Sequence, residues 1–321
     1  MKKRLWLIHI PLIILFASAF VVTWKGELGS LDSAFLRDLV FPPLRSLNGA
    51  FTNAKFKIRG PHKPTQKIVI IEADSESMTA LGRWPWHRDF YAQVIGTALS
   101  YGAKVVGLDY VLSEPDQRVP DGLRQALREK KLDDVVAQAE TDRAFVKLLQ
   151  DFGDRIVLGW TSEAICQPSY VPNKDECPVN FVPDTGGEPL PEEQHPRPPS
   201  MHRFAVSSVA PKDLKFDSEK TPLLSVVQAI APYKDFSHAA SHAGFFNVFP
   251  DPDGYIRRTP LLMMMDGIPF PSLALETARV GLGEDMEVEF SPDQRFKQIR
   301  FKKSGRIIPL NPMGSVEINF M

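Results

Sequence analysis

GRWPWHRDFYAQVI, residues 82–95, is the stretch from which the rest of the chain is read. A Trp-Pro-Trp turn (Trp84, Pro85, Trp86) leads into His87 and Arg88, and a helix is predicted over residues 89–101. Phe90, Val94, Ile95, Ala98 and Leu99 form its apolar stripe, and Gly102 is its stop signal. Immediately before lies KIVIIEAD, residues 67–74, whose continuously apolar positions 68–71 predict a strand covered on both faces. Shortly after lies KVVGLDYVLSEPD, residues 104–116, with a second strand over 105–108. Strand, turn, helix and strand make one βαβ unit. Residues 121–152 read as helical and 156–158 as a third buried strand. The first half therefore predicts a parallel βαβαβ core with right-handed crossovers, flanked by helices.

Beyond it, residues 168–199 carry nine prolines in 32 positions and no hydrophobic period, so the stretch 166–200 is an irregular excursion. A short helix is expected over 222–231. Residues 244–262, GFFNVFPDPDGYIRRTPLL, predict an antiparallel hairpin turning at Asp253-Gly254. A helix capped by Ser272 and three short strands, near 287–290, 298–301 and 316–320, complete a mixed sheet in an α/β fold. Earlier, apolar positions at helical spacing over 27–58 are split by Pro42-Pro43 into two helices.

A net charge of -1 and a pI near 6.7 exclude nucleic acid as a partner, which needs a concentrated basic surface. Met1-Lys2-Lys3-Arg4 precedes an uncharged run over 5–22, bracketed by Trp6 and Trp24. As a helix that run spans about 27 Å, enough for a bilayer core. It predicts an N-terminal transmembrane anchor over residues 1–25, basic end in the cytoplasm and the remainder, 26–321, exported. A cleavable signal peptide ending at Ala17-Ser18-Ala19 is the alternative. In an exported chain the two cysteines, Cys166 and Cys177, are expected to form a disulfide. Zinc held with His195 and His202, or two free thiols, are the other readings.

Asp74, Ser75, Trp84, Pro85, Arg88, Asp109 and Glu114, in this order and on these elements, resemble the type-two CHASE domain. The Asn-x-x-x-Asp-x-Asp-Gly-x-x-Arg-Arg segment that starts at Asn247 adds to the likeness, which extends over most of residues 30–320. The resemblance implies an extracytoplasmic sensory module of a bacterial cyclase or sensor kinase. It also implies a further strand and helix, membrane helices and a cytoplasmic output domain beyond Met321. The partners expected are a small-molecule or peptide signal, the membrane, and a second copy of the chain as a homodimer. The inner membrane, with the sensory part in the periplasm, is the expected location.

Asp74, Asp109 and Glu114 fall at the carboxyl ends of predicted parallel strands, the edge where open α/β sheets bind ligands. They offer oxygen ligands for a cation or a hydroxylated molecule. Alternatively Asp74 caps the following helix and Asp109 pairs with Arg88 as a structural bridge. Trp84 and Trp86 form either an aromatic wall for a ligand or a plug in the core. Arg257 either neutralises the acids, binds an anion, or serves as a bridge. His238 and His242 have one-face helical spacing, but Ala239 stands where a zincin needs Glu. No phosphate loop, nucleophile elbow or glycosidase carboxylate pair is visible, so no catalytic residue, metal or cofactor is expected. A metal-dependent periplasmic hydrolase using Asp74, Asp109 and Glu114, or an envelope module binding proteins through its proline-rich stretch, are the competing functions.

Overall fold

The computed structural model describes residues 41–61, 68–116, 119–166, 195–209, 223–250 and 254–318. Its contacts divide the chain into two units, a larger one of Val69–Phe249 with Thr259–Val316, and a smaller one of Met1–Ile68, Pro250–Arg258 and Glu317–Met321. In the smaller unit α1 spans Phe41–Arg59, with Pro42 and Pro43 in its first turn, where a missing N–H costs nothing. Pro42-Pro43 therefore opens this helix; the first of the two helices expected over 27–58 lies outside the described residues.

In the larger unit, helices α2 (Ser75–Leu81) and α3 (Arg88–Ser100) precede the short strand β1 (Val106–Gly107). Helices α4 (Asp121–Glu129), α5 (Asp133–Ala139) and α6 (Asp142–Phe152) lead to β2 (Ile156–Cys166). Then come β3 (Ser208–Val209), β4 (Ser225–Ile230), α7 (Lys234–Ala239) and β5 (His242–Phe245). Strands β6 (Arg258–Pro260), β7 (Leu262–Met265) and β8 (Ile268–Pro271) lead to α8 (Leu273–Leu282). Strands β9 (Met286–Phe290), β10 (Phe296–Phe301), β11 (Ile307–Pro309) and β12 (Ser315–Glu317) finish the order.

Strand β2 is the axis of the first sheet. Its first half pairs in parallel with β1, Val106 opposite Ile156, and with β5, from Val157 opposite His242 to Trp160 opposite Phe245. Its second half runs antiparallel to β4, from Thr161 opposite Ile230 to Cys166 opposite Ser225. Beyond β4 lie β7 and β8, an antiparallel hairpin whose turn residues Asp266 and Gly267 both have positive φ, 51° and 77°. That is the backbone a two-residue hairpin turn demands. Trp160, Phe145, Phe236, Phe245 and Phe270 are fully buried in one core cluster, each worth roughly 1.5–3 kcal/mol of burial. A second sheet, in the order β11-β10-β9-β3, buries Val288 and Ile299 while Glu287 and Glu289 alternate to the other face.

The mixed α/β sheet is as expected, but several elements differ. Residues 68–71 form no strand and stand exposed, so the parallel core is β1-β2-β5 rather than one begun by residues 67–74. Residues 121–152 break into three helices, Lys131 adopting a φ of 56° between the first two. The helix expected over 222–231 is strand β4: the free half of β2 offers a ladder, and Val226-Val227 suits a pleated surface better than a helix. Among the described residues the hairpin expected over 244–262 does not form either: β5 pairs in parallel with β2, and Asp253 of the expected turn lies outside the described residues. Residues 1–40 lie outside the described residues, and with them the anchor; among the described residues no helix is long and apolar enough to cross a membrane. Cys177 and most of the proline-rich stretch also lie outside them, and with them the disulfide.

Candidate functional site

The Trp-Pro-Trp turn is built by local hydrogen bonding before anything packs on it. Asp74 caps α2: its Oδ1 accepts from the Ser77 N–H at 2.8 Å and from Ser77 Oγ at 2.6 Å. Those bonds, the side-chain one first, hold its carboxyl below the usual range. Gly82, with φ 93°, ends the helix, and the Trp86 indole N–H donates back to the Gly82 carbonyl at 3.0 Å. The Trp84-Pro85 peptide is cis. Trp84 meets Trp86, Tyr91 and Tyr110 edge-on at 5.5, 5.7 and 5.5 Å between ring centroids, and keeps one side open to solvent.

Beneath this aromatic cluster a polar one joins the starts of α3 and α6. His87 occupies the cap position of α3 but makes no cap bond of its own. Thr141 and Asp116 supply it instead: the Arg88 backbone N–H donates to Thr141 Oγ1 at 3.1 Å and to Asp116 Oδ2 at 3.3 Å. His87 Nδ1 lies 3.0 Å from Asp116 Oδ1, and the Thr141 hydroxyl donates to Asp116 Oδ2 in a short bond. The Asp116 N–H in turn donates to both Asp142 oxygens, at 3.1 and 2.9 Å. The buried Arg88 guanidinium donates to the Glu114 carbonyl at 2.8 Å, and its Nε stands 3.7 Å from Asp142 Oδ1. Two carboxylates at two helix starts also suit the positive ends of the helix dipoles. Burial raises the Asp142 carboxyl, against the lowering pull of the Asp116 N–H and Arg88.

The same burial acts on the tyrosines. Tyr91 is pushed up to about 12, and Tyr110 is raised in the same direction by burial and then by Tyr91. A phenol that ionises near 10 in the unfolded chain but near 12 when folded keeps its proton longer in the native state. Its contribution is present below pH 10 and is lost as the pH rises toward 12. Urea unfolding of Tyr91→Phe is expected to show a shallower alkaline loss between these values, by roughly 2 kcal/mol at the upper end. Identical slopes for the variant and the wild type would refute this.

The structure treats the expected site residues unequally. Asp109 does not bridge to Arg88, whose partners are Asp142 and the Glu114 carbonyl; it is exposed and, among the described residues, has no ion pair. Glu114 contributes its backbone to Arg88 while its side chain is exposed. Asp74, Asp109 and Glu114 are not gathered: among the described residues no group of three His, Cys, Asp or Glu is placed to hold a metal. Nor do His238 and His242 share a helix face, since His242 begins β5. Arg257 belongs to the smaller unit, where its Nε donates to Asn53 Oδ1 at 3.2 Å and its guanidinium lies 5.0 Å from the Tyr255 ring. It packs so closely on α1 that a methyl at Gly49 would stand 3.2 Å from its Cζ. Asp116, Thr141, Asp142, Tyr91 and Tyr110 escaped the sequence reading. Their only signal was an acid following the second strand's acids and a Thr-Asp pair opening a helix.

Among curated proteins and solved structures nothing matches the chain. A family model, CHASE2 domain, matches residues 20–321, nearly the whole chain. That family is an extracytoplasmic sensory domain of signalling proteins and is not catalytic. The match spans nearly the whole chain, and the chain belongs to the CHASE2 domain family.

Proposed function

We propose that the chain is the membrane-anchored sensory region of a bacterial inner-membrane signalling protein. It controls a cytoplasmic nucleotide cyclase first of all, or else a diguanylate cyclase or kinase. The family match over residues 20–321 carries the sensory reading. The basic Lys2-Lys3-Arg4 before the apolar run supports the anchor and its orientation. A homodimer shifting between two arrangements of its membrane helices transmits the signal, biased by a ligand with unequal affinity for the two. We assign contact with that ligand, a small molecule or peptide, to the exposed side chains of Trp84, Asp109 and Glu114. Asp74, Trp86 and Arg88 hold this surface in place, and Arg257 does the same for the smaller unit.

Reporter fusions test the topology. Fusions at Lys67 and Gly244 are expected to score as exported with a periplasm-dependent enzyme, and activity of a cytoplasm-dependent one at either point would overturn the anchor's orientation. The same export predicts an oxidised Cys166–Cys177 pair. Non-reduced peptide mapping by mass spectrometry checks it, and two free thiols would count against it.

A further inference from the structure

The sequence makes residues 68–71 a strand, and the fold leaves them as exposed chain. Val69, Ile70 and Ile71 are 71%, 84% and 64% exposed, three β-branched side chains in water on a described and continuous stretch. Past α2 and α3, the first sheet ends on a strand with one side open. Among the described residues β1 pairs only with β2. The Leu108 N–H donates to the Val157 carbonyl at 3.0 Å, so Val106 and Leu108 turn their polar groups toward β2. Alternation along the strand then turns the N–H and C=O of Gly107 toward the open edge. An edge that is neither charged, bulged nor covered invites another strand.

A third observation joins these two. Helix α3 spends one stripe, Tyr91, Ile95 and Leu99, on the core. Its neighbouring stripe instead walls a groove of about 340 Å³, lined by Phe90, Val94, Thr97, Ala98 and Tyr101 on the helix and by Ile71. Ile71 is thus already seated at the rim of the apolar surface that its own run would cover. Both α3 and α8 pack against β1, so a strand added at its edge would lie in the same layered environment as the strands beside it. A strand over 69–72, followed by α2 and α3 and then β1, is a right-handed parallel crossover of ordinary length.

We propose that residues 69–72 add to the open edge of β1 as a parallel strand, and that the chain exchanges between this docked arrangement and the released one. The occupant is the chain's own segment, because its first three residues, Val69, Ile70 and Ile71, are β-branched, Ile71 lines the groove, and the existing crossover suffices to reach the edge. Asp74 caps α2 in the released form and stays outside the docked run, so pairing leaves the helix start intact. The run is the first stretch of the larger unit, so docking changes where the ordered chain of that unit begins. This is a two-state element of the kind a signal biases.

Amide exchange on the full chain, read by mass spectrometry, tests it. In the released form the amides of 69–72 exchange as unstructured chain; docking is expected to slow them at least ten-fold and to slow Gly107 with them. Proline at a position facing β1 removes the donor. Val69→Pro and Ile70→Pro together cover both phases of the run, and one of them is expected to abolish the protection while β2 keeps its own. Free exchange of 69–72 in the wild type overturns the proposal, as does protection that survives both prolines. Protection that grows with protein concentration also overturns it, because the strand would then pair with another copy.

Discussion

Asp116→Ala is expected to lower the stability of the folded domain by about 3 kcal/mol, while Asp109→Ala, seven positions earlier, leaves it within about 0.5 kcal/mol. The side chain of Asp116 is only 7% exposed and accepts from Thr141, from His87 at 3.0 Å and from the Arg88 N–H at 3.3 Å. Truncation takes the acceptor from Thr141 and from His87, while the Arg88 N–H keeps Thr141 Oγ1 at 3.1 Å. A hydrogen bond to a charged acceptor is worth about 1.5–3 kcal/mol, and two of them are lost. The contributions share one carboxylate and do not simply add. Asp109 makes no such bonds, so its removal touches solvent only. In the full-length protein Asp109→Ala is instead expected to change the output, since its exposed carboxylate is assigned to the ligand. Urea unfolding of both variants and an output assay of Asp109→Ala decide the matter. Equal stabilities for the two variants would remove the polar cluster as the support of the turn, and an Asp109→Ala domain that unfolds would return Asp109 to a structural role.

What was legible follows from how far each signal travels along the chain. The Asp74 and Ser272 caps and the short strands near 287–290 and 298–301 are local patterns and stand where the residues placed them. Helix α3, by contrast, buries Tyr91, Ile95 and Leu99 and leaves Phe90, Val94 and Ala98 of the expected stripe on the groove. Strand β4 was not legible, because a short, mainly apolar six-residue segment becomes strand or helix according to whether an edge is available to it. The edge belongs to β2, some sixty residues away. Arg88 shows the same limit at the site. A buried guanidinium needs partners, and Asp109 was the nearest candidate by sequence pattern; the structure supplies Asp142 and the Glu114 carbonyl, reached only once α6 packs beside α3. The acids at the strand ends were visible, but which of them is a cap, a buried acceptor or an exposed carboxylate depends on those long-range contacts.

Close backbone approach is the other feature no local pattern announces, and it carries the second large effect. Gly159 in β2 and Gly244 in β5 are register partners in the parallel ladder. A methyl built on Gly244 would stand 2.6 Å from both the N and Cα of Leu273, the first residue of α8. Non-bonded carbon atoms rest near 3.5–4.0 Å, so the helix start would have to retreat by about 1 Å. That retreat pulls on the Ser272 cap, whose Oγ accepts from the Leu275 N–H at 3.2 Å, and on the bridge between Phe245 and Ser272. Backbone cannot rotate away as a side-chain tip can, so Gly244→Ala is expected to cost at least about 3 kcal/mol. At Gly159 the methyl would meet the Leu108 carbonyl and the Phe246 ring, with the same consequence. Gly122, in α4, has nothing within 4 Å of such a methyl, so Gly122→Ala is expected to be neutral or to stabilise by up to about 1 kcal/mol. Urea unfolding of the three variants separates steric from conformational effects. If Gly244→Ala unfolds at the wild-type midpoint, α8 does not sit on β5 as closely as the ladder requires, and the support it gives to β1 is lost with it.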